Sequence, residues 1–203
     1  MTDQQPDTGH EAEEVSDERI TGVASYLFEV GVLKHIKRTG WWIAGVKDPE
    51  TIAEHSFRTS ILATVLAALE GADPARAAQL AVFHDTQETR VGDIPHVGRR
   101  YLTAADNEAV TIDQVADCPP VVAGVLRDIV ATYEAQDTPE ALVAKDADRL
   151  ECLIQALEYR RQGCAGVQEW IDSCRTGLKT TSAQRIADAA LTLTGLEWQR
   201  THA

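Results

Sequence analysis

Long apolar runs, paired cysteines, basic clusters and strand-like alternation are all missing from this chain, and each absence removes a class of function. No stretch of about 18 apolar residues occurs, so no membrane span is expected. Residues 1 to 17 carry six acids and no Lys or Arg. They lack the basic-then-apolar order of a secretory leader, and with so little to bury they are expected to be a disordered tail. The four cysteines, Cys118, Cys152, Cys164 and Cys174, form no C-x-x-C pair. Thiols this sparse suit a reducing cytoplasm better than a disulfide framework. Lys and Arg number 19 against 32 Asp and Glu, a net charge of −13. That balance argues against a nucleic-acid polymer as partner, whose phosphates need clustered cations. A single nucleotide is not excluded.

What the chain does contain is helical periodicity. Ile20, Val23, Ala24, Leu27, Val30 and Leu33 recur at three- and four-residue steps, which predicts a helix from near Ser16 to about Arg38. Trp41 to Val46 reads as a short apolar connection. Thr51-x-x-Glu54 is a capping box that opens a helix running to Gly71. Asp73-Pro74 opens the next, expected from Ala75 to about Glu88 and carrying His84-Asp85 near its end. Gly92-Asp93-Ile94-Pro95 must be a loop. Further helical stretches are expected near Thr103 to Ala116, from Pro119-Pro120 to Tyr133, from Thr138-Pro139-Glu140 to Gly163, from Val167 to Arg175 and from Ser182 to Trp198. No repeat or interdomain linker is visible. The expectation is one all-α domain, residues 18 to 203, a single helical bundle.

Several residues on these helices carry chemistry, but spacing alone leaves their roles open. His55, in the first turn of its helix, reads by itself as a surface or capping histidine. His84-Asp85 follows Ala81-Val82-Phe83, where an unpaired carboxylate carries a large desolvation cost. Asp85 therefore either pairs with an arginine, Arg58 or Arg149, or holds a metal ion. Asp148 lies in the charged patch Lys145-Asp146-Ala147-Asp148-Arg149, which alone reads as a solvated helix face.

A resemblance joins these pieces. Leu33 to Trp41, Thr51 to Arg58, Val82-Phe83-His84-Asp85-x-x-Glu88, Gly92-Asp93-Ile94-Pro95 and Lys145-x-x-Asp148 occur in order across most of residues 20 to 160. In them the chain resembles the HD-domain metal-dependent phosphohydrolases, and within those the 5′-deoxynucleotidase branch. The resemblance implies an all-α fold with His55, His84, Asp85 and Asp148 as metal ligands. Asp148 is matched rather than Asp146, which lies about 200° away around the helix. It implies Glu88 and Asp93 as catalytic residues, the first aiming or deprotonating water and the second serving as acid or sugar contact. Arg38 and Trp41 match substrate-facing positions. The nitrogen and oxygen donors suit Mn²⁺, Co²⁺, Fe²⁺ or Zn²⁺, with Mg²⁺ less natural beside two imidazoles. The implied activity is hydrolysis of deoxyribonucleoside 5′-monophosphates by a cytoplasmic homodimer. Another nucleotide substrate, or a non-catalytic nucleotide-binding module, is the alternative. Two departures stand out: Ala44 replaces an Arg common in such proteins, and His96, Arg99 and Arg100 stand where Thr and Lys are usual.

Overall fold

In a computed structural model the described residues, 15–103 and 105–199, are helical and contain no sheet. The expected tail lies outside the described residues as far as residue 14. The elements are α1 (Asp17–Gly31), α2 (Gly40–Ile43), α3 (Ile52–Glu70), α4 (Pro74–Phe83), α5 (Glu88–Val91), α6 (Asn107–Gln114), α7 (Pro120–Ala135), α8 (Pro139–Arg161), α9 (Gln168–Gly177) and α10 (Thr181–Thr192). No described helix is long and apolar enough to cross a membrane.

The longest helix, α8, is the axis of the fold: α3, α4, α7, α9 and α10 all pack against it. Its buried side includes Ala141, Ala144 and Ala147 toward one end and Leu150, Leu153 and Leu157 toward the other. The alanines keep that end thin, so neighbouring helices approach closely, while each fully buried leucine contributes about 1.5–3 kcal/mol.

Most helix starts are those the sequence announces, but α6 opens at Asn107, capped by Asp106, rather than near Thr103. Ser16, Thr51, Asp73 and Thr138 all cap with their side chains, and Thr51 and Glu54 form the reciprocal capping box. Several helix ends differ from expectation. The first helix stops at Gly31 rather than Arg38, because residues 36 to 38 turn extended and pair with 50 to 52: the Arg38 N–H donates to Glu50 O and the Ile52 N–H to Ile36 O. Trp41 and Trp42 form a helical turn, α2, rather than an irregular connection. The helix carrying the His-Asp pair ends at Phe83, with His84 as its cap. There the imidazole Nδ1 of His84 lies 2.6 Å from Ala81 O, and the Thr86 hydroxyl donates to Phe83 O. Side chains thus take carbonyls of the last turn and stop the helix. The final helix ends at Thr192 rather than Trp198.

Candidate metal centre and cleft

Three helix segments meet at the side of α8 that carries Asp148. The first turn of α3 supplies His55, the end of α4 supplies His84 and Asp85, and α8 supplies Asp148. His55 is fully buried and His84 is 4 % exposed. Their Nε2 atoms lie 3.3 Å apart. Asp148 Oδ1 is 3.3 Å from His55 Nε2 and 3.8 Å from His84 Nε2, while Asp85 Oδ2 is 3.7 and 3.0 Å from the same two atoms. Two bare imidazole nitrogens facing each other need a proton or a cation between them. Donors bonded at about 2.0–2.2 Å to one ion stand roughly 3.0–3.6 Å apart, so the observed spacing fits a single cation. His55, His84 and Asp148 form a mutually close set that could hold one, and Asp85 borders it.

Charges in the cluster are strongly coupled. Burial presses both imidazolium groups toward neutrality, but Glu151 and Asp148 hold His55 up at about 9, and Asp85 and Asp148 hold His84 up at about 10. Burial likewise penalises the carboxylates. It is outweighed at Asp85 by His84 and Arg38, and at Asp148 by Lys145 and the imidazoles, so both fall below their ordinary range. A cation between the imidazoles would therefore have to displace protons from them.

Around the four lies a set of buried partners. Glu151, one helical turn after Asp148 and fully buried, reaches His55 Nδ1 at 2.5 Å and accepts two hydrogen bonds from Arg58, at 3.0 and 2.8 Å. That contact fixes which ring nitrogen of His55 faces the cluster. Arg58 is therefore not the partner of Asp85; Arg38 is, at 3.2 Å. Glu50 accepts from the Trp41 indole N–H at 3.0 Å. Burial and the nearby charge of Glu151 push its carboxyl up to about 7. On the open side, Lys145 Nζ donates to Asp148 Oδ2 at 2.9 Å and to the Tyr133 hydroxyl at 3.2 Å.

A cleft opens from the cluster in two directions. One cavity, about 380 Å³, is bordered by Arg38, Trp41, Asp93, Asp148, Arg149 and Trp170, among others. The other, about 360 Å³, runs toward Leu102, Asn107, Tyr133 and Glu134. Asp85, Glu88, Arg99 and Lys145 border both. Glu88 stands at the junction. Its Oε2 is buried with no hydrogen-bond partner, and burial, then the repulsion of Asp85 and Asp93, pushes its carboxyl up to about 8. Gly92, at φ 72°, turns the chain after α5. Asp93 Oδ2 then accepts from the Thr39 backbone N–H and, at 3.1 Å, from its hydroxyl. Asp93 thus caps the approach to α2 while bordering the cleft.

Trp41 is 2 % exposed and packs against Tyr159 and Trp170, with ring centroids 5.2 and 5.9 Å away. Only its margin reaches the cavity. Ala44 borders neither cavity, and Arg100 lies over the Tyr101 ring instead, whereas His96 and Arg99 do face the cleft. Glu151, Glu50 and Tyr133 are absent from the expected site, and Lys145 enters it only as part of the Lys145-x-x-Asp148 match, without a role. The available signal was Glu151 at three residues after Asp148, matching Arg58 at three residues after His55.

Fold and site together define a helical protein built around a buried two-imidazole, two-carboxylate centre. The HD domain family model matches residues 30–189, and the chain belongs to that family. It is 35% identical over 146 residues to a 5′-deoxynucleotidase of Schizosaccharomyces pombe, covering 69% of this chain and 73% of that one. It is 32% identical over 138 residues to a human 5′-deoxynucleotidase, covering 66% of each chain. A conserved hypothetical protein from Pyrococcus furiosus superposes with a TM-score of 0.69 at 27% identity, covering 84% of this chain and 99% of that one. The matched region thus spans about two thirds or slightly more of the curated relatives' length.

Proposed function

We propose that the chain is a metal-dependent phosphomonoesterase that hydrolyses deoxyribonucleoside 5′-monophosphates to a deoxyribonucleoside and inorganic phosphate. The observation that carries it is the junction of the cleft, where two buried imidazoles and two half-buried carboxylates converge beside a carboxylate oxygen that has no partner. The names of the relatives supply the substrate class. Residues 18 to 203 are read as the catalytic domain.

His55, His84, Asp85 and Asp148 would hold a divalent cation, with Mn²⁺, Co²⁺, Fe²⁺ or Zn²⁺ suited to the donor set and Mg²⁺ less so. When bound, the cation offsets phosphate charge and makes water a better nucleophile. Glu88 is the base: its unpartnered oxygen aims a water at phosphorus and accepts the proton. Arg38, Arg99 and Lys145 border the space where the phosphate oxygens would lie and supply positive charge. Asp93, one of its oxygens already committed to Thr39, uses the other toward the leaving 5′-oxygen or the sugar. The margin of Trp41 and the face of Trp170 form an apolar wall against which a deoxyribose packs. Ala44 stays clear of the cleft, so nothing at that position favours a different substrate. A cytoplasmic homodimer completes the reading: all four cysteines are free, as a reducing compartment requires.

Elemental analysis of the purified protein, combined with phosphate release from mono-, di- and triphosphates of ribo- and deoxynucleosides, tests this reading. Release confined to deoxynucleoside monophosphates, dependent on a divalent ion, is expected. Glu88→Gln should keep the metal while lowering kcat by about 10²–10⁴-fold. Loss of metal in that variant would make Glu88 a ligand instead.

A further inference from the structure

Two nucleophiles in the cleft wall have no part in the proposed hydrolysis. Cys152 follows Asp148 by one turn of α8, and Cys174 lies on α9, which packs along α8. Both border the 380 Å³ cavity beside Arg38, Asp148 and Trp170, and both are free and only partly buried. Cys118 and Cys164 border neither cavity. On two packed helices and along one cavity wall, the two thiols perturb each other's acidity. Cys174 holds the Cys152 thiol, already raised by burial, well above its ordinary value, whereas Cys174 is lowered, chiefly by Cys152. One thiol of the pair is thus the readier nucleophile and the other stands where a resolving thiol must. Arg38, Arg99, Lys145 and Arg149 line the same cavity opposite Asp85, Glu88, Asp93 and Asp148, so a divalent cation held at the centre would leave the cavity net positive toward an anionic reagent.

We propose that Cys152 and Cys174 form a dithiol modification site, which an anionic low-molecular-weight disulfide of the glutathione class converts into an intramolecular bridge across the wall of the substrate cavity. The Cys174 thiolate attacks one sulfur of the reagent, its S–S bond breaks, and the departing thiolate takes up the proton that Cys174 released. Cys152 then loses its proton and attacks the Cys174 sulfur of the mixed disulfide, expelling the second thiol. Two protein thiols are oxidised and one disulfide is reduced to two thiols. The bridge ties α9 to α8 along the cavity wall and weakens substrate binding without touching the donors of the metal centre. Only this last effect rests on the proposed phosphomonoesterase reading.

The test uses the reduced, metal-loaded full chain and glutathione disulfide, followed by alkylation, peptide mapping without reduction, metal analysis and steady-state kinetics. The expected result is a single linked pair, Cys152 with Cys174, consuming two of the four thiols. Dithiothreitol should reverse it, metal content should stay constant, and KM for the deoxynucleotide should rise several-fold in the bridged form. Cys152→Ser should halt at a stable glutathione adduct on Cys174, and Cys174→Ser should leave Cys152 unmodified. Separate adducts on both cysteines, a bridge to Cys118 or Cys164, or a bridged protein with unchanged KM would each overturn the proposal. A reduced protein inert toward every nucleotide would instead overturn the phosphomonoesterase reading, and the peptide map would still decide the bridge.

Discussion

Asp146 and Asp148 sit two residues apart on α8, and their surroundings make them opposites. Asp148 faces the cleft, with Lys145, His55 and His84 against its oxygens. Asp146 faces the far side and is fully buried. Its carboxylate accepts the backbone N–H groups of Lys179 at 3.0 and 2.9 Å and of Thr180 at 2.6 Å, the approach to α10. Asp146 is fully buried and Asp148 half-buried at the cleft, yet a carboxylate withdrawn from water needs partners in either place, so burial alone does not identify the functional one. The partners do. Asp146 is neutralised by backbone dipoles at the start of α10 and by Arg149, whose Nη1 stands 3.6 Å from its Oδ1. Asp148 is neutralised by protons and a lysine, which a cation and a substrate can replace.

Two matched substitutions would break or sharpen that contrast, and they carry the largest expected effects. Asp148→Asn should abolish metal retention and turnover, because the centre loses a charged donor that both imidazoles face. His84→Ala should lose metal and activity in the same way. Asp146→Asn should do the reverse: it should cost about 1–3 kcal/mol of stability, since an amide cannot accept all three N–H contacts, and leave metal stoichiometry unchanged. If Asp146→Asn lost metal with its fold intact, the division of labour between the two acids would be wrong.

Glu151 lies between the two cases, because it is fully buried yet serves the centre through His55. Its carboxylate is held low, against burial, by His55, Arg58 and Arg38. Glu151→Gln should weaken metal affinity by about 10–100-fold, measured by competition with a chelator, while kcat at saturating metal changes much less. An equal loss in kcat at saturation would place Glu151 in the chemistry rather than behind it.

What could be read without coordinates follows from the range of each interaction. Helix starts were legible because caps act within three residues: Thr51 and Glu54 find each other along the chain. Helix ends were less so. The early stop after Gly31 depends on residues 50 to 52, and the stop at Phe83 depends on the rotamers of His84 and Thr86. For the site, four donors could be nominated only through the order of motifs, since no local rule makes α3, α4 and α8 converge. In the fold those four side chains come together. The partner of Asp85 was among the open alternatives as Arg58 or Arg149, and it is Arg38, which the extended pairing of residues 36–38 carries to the cleft. Glu151 escaped notice because a glutamate amid Leu150 and Cys152 carries no signal until His55 is placed against it.

Glu29 is the mildest test of the same contrast, an acid at the periphery that is held by donors yet stands next to catalytic apparatus. It accepts from Arg90 Nε and Nη2, each at 2.8 Å, from the Thr89 hydroxyl at 2.9 Å and from Gln114 at 2.9 Å. Those contacts tie α1 to α5, the turn that begins with Glu88. Arg90, against the opposing effect of burial and with help from Gln114 and Thr89, lowers its carboxyl to about 2. Because the folded value lies below the ordinary 4.5, the stabilisation is complete above that value and fades as the pH falls toward 2. Glu29→Gln should therefore cost about 1 kcal/mol at neutral pH, and its difference from the unmodified protein should shrink on acidification in urea titrations. Turnover at neutral pH should change less than stability does, because Thr89 and Arg90 hold α5 through backbone bonds to Thr86 and Gln87 as well. A large fall in kcat with little loss of stability would show that α5 is positioned for chemistry by this peripheral acid, and the separation of structural from functional carboxylates would not extend beyond α8.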